Sequence, residues 1–200
     1  MLGAMNRRVA MHEAVEVIRG MRPAMAEAAR PFIVGITGPV GAGKSTLAAR
    51  LSGCVIATDH YLPDYETTPR HERDMPERSD LARLLADLRS LRMGNPTAIP
   101  QWSFHTHSRT GERVVEPAEV IVVEGLHALH QTHAGALDVR VYVDAPAAVR
   151  LARWESLALG GERGWGVEET REFFVMVAEP TFHARADGYR ASAHVVVVNG

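Results

Sequence analysis

The sequence predicts an α/β fold: a three-layer sandwich in which helices cover both faces of a parallel sheet of about five strands. Five short apolar runs rich in β-branched residues alternate with helical patterns, as in a buried parallel sheet. The 200 residues are 46% hydrophobic and 23% charged, which is ordinary for a globular protein. A glycine-rich turn joins the first apolar run to the first strong helix. We therefore expect one domain over residues 1–200.

The elements follow in a regular order along the chain. Apolar residues at helical spacing in 10–29, interrupted by Pro23, predict one or two short helices within an N-terminal helical extension over 1–30. Leucines on one face, with Ser79 as the cap, predict a further helix. The strands are predicted at 31–37, 54–58, 119–125, 139–145 and 193–200, and the later helices at 44–52, 79–94, 146–158 and 167–179.

Two insertions interrupt this alternation. In residues 95–117, TAIPQWSF and ERVVEP flank the polar stretch HTHSRTG, which predicts a β-hairpin with a polar tip. Residues 150–166 end in GGERGWG, which predicts a flexible turn after a helix. Both insertions lie between predicted strands, so we expect them at the surface of the domain.

Composition and charge exclude several classes of partner. The formal net charge is −2, so no basic field favours nucleic acid. No apolar run approaches the ~18 residues that span a bilayer, and the first residues do not read as a secretory signal. The single cysteine, Cys54, excludes an internal disulfide and fits a reducing compartment. We expect a cytoplasmic protein that binds neither nucleic acid nor membrane.

The glycine-rich turn matches the phosphate-loop pattern G-x-x-x-x-G-K-[ST] between a strand and a helix. Glycines let backbone N–H groups surround an anion, and the helix dipole favours negative charge there. Lys44 would reach the β- and γ-phosphates, and the hydroxyl of Ser45 would bind Mg²⁺. The motif predicts a P-loop NTPase fold whose nucleotide-binding residues are Gly38, Pro39, Val40, Gly41, Ala42, Gly43, Lys44, Ser45 and Thr46.

Two carboxylates follow strands of the predicted sheet. Asp59 comes directly after strand 54–58, and Glu124 ends strand 119–123. The carboxyl ends of parallel strands share one edge, where the phosphate loop also lies. We expect one of these acids to hold Mg²⁺ and the other to take a proton from an attacking hydroxyl.

Three further segments, TDHYLPDY, PQWSFHTHSRTGE and PAEVIVVEGLHAL, resemble uridine kinases within the uridine kinase and phosphoribulokinase group. The resemblance runs from about Phe32 to the last strand. It implies transfer of the γ-phosphate of ATP or GTP to a small-molecule hydroxyl, most often the 5′-hydroxyl of uridine or cytidine. It also implies homo-oligomers, because the family commonly forms dimers or tetramers.

The resemblance assigns roles residue by residue. Asp59 matches the base beside the metal, Glu124 the acid of the E-G motif, and Asp74 the aspartate that holds the ribose hydroxyls. Arg153 and Arg163 match arginines of the lid over the phosphates. The hairpin residues that match those around the pyrimidine ring are Trp102, Phe104 and His107.

This sequence departs from the family at two places. It has Trp102-Ser103-Phe104 where uridine kinases usually have Tyr-Asp-Phe, and tryptophan cannot donate the same hydroxyl. The lid segment has Arg153-Trp154 where two adjacent arginines are usual, so Arg150 or Arg171 would have to contribute. These differences bear on the acceptor more than on the reaction.

Three alternatives stay open on the sequence alone. The first is a kinase of the same group with another acceptor, such as nicotinamide riboside, pantothenate or a sugar phosphate. The second is a switch protein that hydrolyses ATP or GTP with water as acceptor, against which the acceptor-like hairpin argues. The third is a non-catalytic nucleotide-binding protein, against which the intact Lys44, Ser45, Asp59 and Glu124 argue.

Overall fold

A computed structural model describes residues 6–22, 30–162 and 164–200, and these residues form a parallel sheet with helices on both faces. The six strands are β1 (Arg7–Ala10), β2 (Phe32–Thr37), β3 (Cys54–Ala57), β6 (Val120–Glu124), β7 (Val139–Asp144) and β8 (Val195–Val198). They pair in the order β1-β8-β7-β2-β6-β3. The predicted fold class is confirmed, with one strand more than the five expected.

Seven α-helices are formed by the described residues: α1 (Ala14–Arg19), α2 (Lys44–Leu51), α3 (Leu81–Arg92), α4 (Gln131–Ala134), α5 (Ala147–Leu159), α6 (Val167–Phe173) and α7 (Glu179–Ser192). The hairpin strands β4 (Thr97–Ser103) and β5 (Ser108–Val115) pair antiparallel, as predicted. None of the helices in the described ranges is long and apolar enough to cross a membrane.

The N-terminal segment differs from the predicted helical extension. Arg7–Ala10 is a strand that pairs in parallel with β8, and of the described residues in this segment Ala14–Arg19 are helical. The two arginines of the strand are exposed, because it lies at the edge of the sheet, and Val9 is buried. The part of the predicted extension that contains Pro23 and Met25 lies outside the described residues.

The core consists of an apolar cluster on each face of the sheet. On one face, Leu47 of α2 and Ile18 of α1 pack against strand residues such as Val141. On the other face, Leu84 of α3 and Phe182 of α7 pack against residues such as Ile121. Because both faces are covered, the internal strands are mostly apolar, and ligands of such parallel sheets bind at the carboxyl ends of the strands.

Two helix boundaries differ from the sequence prediction. Asp80, not Ser79, caps α3, because its carboxylate accepts a hydrogen bond of 3.2 Å from the backbone N–H of Arg83. The helix predicted at 167–179 ends at Phe173 and continues through a π-helical turn, Phe174–Ala178, into α7. No helix was predicted beyond residue 179.

The turn between α6 and α7 places Glu179 against Arg150 of α5. The two Oε atoms of Glu179 lie 2.5 and 2.7 Å from Arg150 Nη1 and Nη2. Arg150 is 3% exposed and also donates to the carbonyls of Ala145 (2.9 Å) and Val40 (3.3 Å). Through Val40, this buried ion pair supports the glycine-rich turn from behind.

We expect Glu179→Gln to lower the free energy of unfolding by about 3 kcal/mol, because it leaves the buried Arg150 charge without its anion. Urea denaturation monitored by circular dichroism measures the change. Glu155→Gln is the matched control, since its partner Arg171 is exposed and such pairs contribute roughly 0–1 kcal/mol. Equal small losses in both variants would contradict a structural role for the Arg150 pair.

Candidate active site

A cavity of ≈ 510 Å³ opens at the carboxyl edge of the sheet. Its wall contains the phosphate loop together with the ends of β3 and β6, the hairpin tip and the segment after α5. The predicted site residues that line it are Val40, Gly41, Gly43, Lys44, Ser45, Thr46, Asp59, Asp74, Phe104, His107, Glu124 and Arg153. The fold therefore brings most of the predicted site together around a single cavity.

The phosphate loop begins where β2 ends and leads into α2. Gly41 has a φ of 72°, and a Cβ there would collide with the backbone of Arg150. Lys44, the first residue of α2, is 9% exposed, and its Nζ donates to the Pro39 carbonyl at 2.9 Å. The lysine side chain thus reaches back across the loop, where a bound phosphate chain would meet its charge.

Asn199, just after β8, supports the loop from its other side. Its Nδ2 donates to the carbonyl of Ala42 at 2.7 Å, and its own backbone N–H donates to Asp144 at 2.8 Å. The first bond holds the Ala42 carbonyl away from the cavity, which leaves the loop N–H groups available to an anion. Sequence reasoning assigned Asn199 no role, because its partner is 157 residues away.

Ser45 and the two predicted carboxylates are close to one another. The hydroxyl of Ser45 donates to Oε1 of Glu124 at 3.0 Å. Asp59 is the second residue of a short 3₁₀ turn, Thr58–Tyr61, that directly follows β3, and it is half-buried. Burial raises the pKa of Glu124, the Lys44 charge opposes that shift, and the negative charge of Asp59 adds to it. Two carboxylates and a hydroxyl beside the phosphate loop form an oxygen set that suits a cation.

The ends of β3 and β6 approach closely because residue 125 is glycine. Gly125 has a φ of 145°, and a Cβ at this position would collide with the side chain of Thr58. Thr58 precedes Asp59, and Gly125 follows Glu124, so this contact sets the spacing between the two acids. The glycine of the E-G pair is therefore needed for steric reasons, whereas the glutamate supplies the carboxylate.

Asp74 lies across the cavity on a turn before α3. Its side chain is 6% exposed, and its Oδ1 accepts a hydrogen bond of 2.9 Å from the hydroxyl of Tyr65. Burial, with the nearby Asp74 charge, raises the pKa of Tyr65 well above its usual value, so the hydroxyl stays protonated as a donor. Tyr65 itself lines the cavity and was not predicted from the sequence.

Aromatic side chains from three segments meet beside Asp74 and line the cavity. His107 stacks on Trp165 with centroids 4.2 Å apart and on Tyr65 at 5.4 Å. His107 has a φ of 50°, so the hairpin tip adopts left-handed backbone to present this ring. We call this set the aromatic wall; it consists of Tyr65, Phe104, His107, Trp165 and Phe173.

Trp102 was predicted to lie around the pyrimidine ring, but the structure places it outside the cavity. It is 8% exposed, does not line the cavity, and meets Tyr65 edge-on at 5.1 Å between centroids. The bulge between Gln101 and Trp102 turns the side chain into the cluster beneath the aromatic wall. Trp102 therefore supports Tyr65 from behind.

The predicted lid arginines have separate positions. Arg153 lines the cavity, and its Nη1 donates to the Gly41 carbonyl at 3.2 Å. Arg163 lies outside the described residues. The two candidate substitutes are engaged elsewhere: Arg150 binds Glu179, and Arg171 binds Glu155 at 2.7 Å. Among the described arginines named for the lid, Arg153 is the one that lines the cavity.

Two histidines near this edge are buried and neutral. His127 and His133 have pKa values lowered to about 4, chiefly by burial. The unfolded chain, with histidine pKa values near 6.5, binds more protons than the fold between pH 6.5 and 4. The stability that these residues contribute is therefore complete above pH 6.5 and is lost as the pH falls toward 4.

We expect the free energy of unfolding to fall by up to ~1.4 kcal/mol per pH unit for each of these histidines between pH 6.5 and 4. His133→Gln keeps a donor for the Ala128 carbonyl, which His133 Nε2 meets at 3.0 Å, but takes up no proton. Urea titrations at several pH values should give this variant a shallower slope than the parent. His71→Gln, at an exposed position, is the control; if all three slopes agree, His133 does not contribute.

The described residues contain no cluster of three or more His, Cys, Asp or Glu side chains that could hold a metal ion by themselves. Beside the phosphate loop, Asp59 and Glu124 supply two carboxylates, and the hydroxyl of Ser45 would be a third oxygen ligand. Mg²⁺ commonly takes one or two carboxylates and completes its shell with phosphate and water. The residues present fit that mode of binding.

Comparison with known proteins shows the family to which this chain belongs. Residues 60–199 match the family model described as the phosphoribulokinase / uridine kinase family. A uridine kinase of Clostridium botulinum (strain 657 / Type Ba4) is 31% identical over 185 residues, which cover 86% of this chain and 89% of that protein. A uridine kinase of Halobacterium salinarum is 31% identical over 182 residues, covering 84% and 80% respectively.

Solved structures agree on the fold. The D-glycerate 3-kinase of Cryptococcus neoformans var. grubii superimposes with a TM-score of 0.57 at 15% identity and covers 94% of this chain and 95% of its own. At that identity the likeness concerns the fold alone. The family match and the curated relatives go further: this chain belongs to the phosphoribulokinase / uridine kinase family of small-molecule kinases.

Proposed function

We propose that the protein transfers the γ-phosphate of ATP, or of GTP, to the 5′-hydroxyl of uridine or cytidine. One observation carries the proposal: the phosphate loop, the Asp59–Glu124 pair and an aromatic wall beside Asp74 line the same cavity. The named uridine kinases that this chain resembles support the choice of acceptor. The reaction consumes nucleoside triphosphate, which fits the cytoplasmic location expected from the sequence.

The transfer needs a base for the hydroxyl proton, positive charge at the phosphate oxygens, and alignment of the acceptor hydroxyl with the γ-phosphate. Asp59 takes the proton of the acceptor hydroxyl as its oxygen bonds to the γ-phosphorus, and the bond to the β–γ bridging oxygen breaks to release ADP. Lys44 and the loop N–H groups bind the phosphate oxygens, and Arg153 lies beside them at Gly41. Ser45, Glu124 and Asp59 would hold Mg²⁺, which supplies positive charge to the β- and γ-phosphates.

The charge of the cavity wall favours an uncharged acceptor. Among its described residues, the permanent cations are Lys44 and Arg153, and both contact carbonyls of the phosphate loop. The side opposite the loop carries the carboxylate of Asp74 and the aromatic wall. No arginine or lysine for a sugar phosphate is found among the described residues that line that side, whereas a nucleoside offers ribose hydroxyls to Asp74 and a ring to the aromatic wall.

A coupled assay of ADP release with Mg-ATP tests the proposal on a panel of acceptors. The panel contains uridine, cytidine, deoxynucleosides, nicotinamide riboside, pantothenate, a sugar phosphate and no acceptor. We expect turnover that requires uridine or cytidine. Equal turnover with and without every acceptor would contradict the proposal and favour a hydrolase or switch. Turnover with nicotinamide riboside or pantothenate alone would keep the reaction and replace the acceptor.

A further inference from the structure

His127 is a buried histidine that the phosphoryl transfer itself does not use. It lies just after the Glu124-Gly125 pair, is 3% exposed and forms part of the cavity wall. Both ring nitrogens have partners: Nδ1 is 2.9 Å from the hydroxyl of Tyr189 on α7, and Nε2 is 2.6 Å from the backbone carbonyl of Asp74. The ring therefore links the end of β6, helix α7 and the turn that carries Asp74.

The partners determine where the proton of the ring lies. The carbonyl of Asp74 can only accept a hydrogen bond, so Nε2 of His127 must carry the proton. The neutral ring then has a lone pair on Nδ1, which accepts the hydrogen of the Tyr189 hydroxyl. Burial keeps the ring neutral, and Tyr189 is itself buried at 6% exposure. The direction of each hydrogen bond is thus fixed by its chemistry.

The turn that carries Asp74 has little regular structure of its own. It lies between a short 3₁₀ turn, Arg70–Glu72, and the start of α3. The side chain of Asp74 receives the hydroxyl of Tyr65 at 2.9 Å, while its carbonyl receives His127 at 2.6 Å. The residue is therefore held at its side chain and at its backbone by two different elements.

We propose that His127 is a positioning residue for the acceptor: backed by Tyr189, it fixes the backbone of Asp74 so that the carboxylate faces the cavity. The proposal rests on the proposed function, because it assigns Asp74 to acceptor binding. His127 acts through Asp74, and it does not contact the phosphate loop. Loss of its Nε2–H bond should weaken acceptor binding and leave nucleotide binding alone.

Two variants separate this role from simple packing. His127→Leu removes the donor, and His127→Gln keeps an N–H group at a similar reach. We expect His127→Leu to raise the KM for the acceptor about tenfold, because a buried hydrogen bond is left unmade. The KM for ATP should stay within about twofold of the parent value. We expect Gln to restore the acceptor KM to within about threefold of the parent. His130→Leu, three residues on and bonded to Thr132, is the matched control.

Three results would each overturn the proposal. They are a parallel rise in the KM values for acceptor and ATP, an unchanged acceptor KM in His127→Leu, and the same acceptor KM in His127→Leu and His127→Gln. A second readout needs no acceptor. Hydrogen exchange of the amides in residues 73–78 should be faster in the Leu variant than in the Gln variant, with the phosphate loop unchanged; equal exchange in both overturns the proposal. A parent protein that phosphorylates no nucleoside contradicts the proposed function, and the exchange measurement still decides the role of His127.

Discussion

Asp59→Asn is expected to reduce kcat by about a thousandfold, because the amide cannot take the proton of the acceptor hydroxyl and such bases contribute roughly 10²–10⁴ in rate. Asparagine keeps the size of the side chain and a coordinating oxygen. We therefore expect the variant to keep the side chain in its place after β3, beside Glu124. Single-turnover kinetics with saturating Mg-ATP and acceptor would measure the loss directly in the chemical step.

Glu66→Gln serves as the control for Asp59→Asn. Glu66 is an exposed acid seven residues further along the same segment and does not line the cavity. It should retain the parental kcat. If Asp59→Asn retains it too, with unchanged thermal unfolding, Asp59 is not the base, and Glu124 is the remaining carboxylate at the phosphate loop.

The sequence predicted best where the signal was local. The five apolar runs each became a strand of the parallel sheet, four of them internal and β3 at one edge, because burial on both faces favours continuous apolar residues. The phosphate loop was recognisable because its chemistry resides in consecutive residues. Asp59 and Glu124 followed from topology, since carboxyl ends of parallel strands share an edge. In each case a short stretch contained the whole physical requirement.

The failures have the opposite cause. Strand β1 contains Arg7 and Arg8, and it pairs with β8, 188 residues further along the chain. Helix α7 contains Pro180 and Gly188, which weaken a helical pattern that tertiary packing overrides. Its first residue, Glu179, is held by the buried Arg150. Long-range pairing decided these elements, and a single sequence does not display it.

The acceptor side of the site was predicted less completely than the phosphate side for the same reason. Trp102 and Tyr65 are aromatic residues of neighbouring segments, and only packing decides which ring faces the cavity and which lies beneath. In the sequence, His127 is one of the histidines that follow the E-G pair. Its partners, Asp74 and Tyr189, are 53 and 62 residues away, so its role became visible only with coordinates.

Lys44 is the one lysine in the sequence, and its substitution should have the second large effect on catalysis. We expect Lys44→Ala to lower kcat/KM for Mg-ATP by about a thousandfold, since it removes the positive charge that meets the β- and γ-phosphates. The change should also act through Glu124: the Lys44 charge holds down the pKa of this acid, so its loss favours the protonated form. A protonated Glu124 binds cations poorly, and the variant should therefore need more Mg²⁺ for half-maximal rate.

The single lysine permits an independent measurement on the unmodified protein. An amine-reactive reagent can modify only Lys44 and the terminal amine, and peptide mass spectrometry distinguishes the two sites. Mg-ATP should protect Lys44 and leave the terminal amine equally reactive, because only the lysine lies at the phosphate loop. Equal labelling of Lys44 with and without nucleotide, or parental turnover by Lys44→Ala, would mean that the phosphate chain does not bind beside this side chain. The assignment of the cavity to nucleotide would then fail at its central residue.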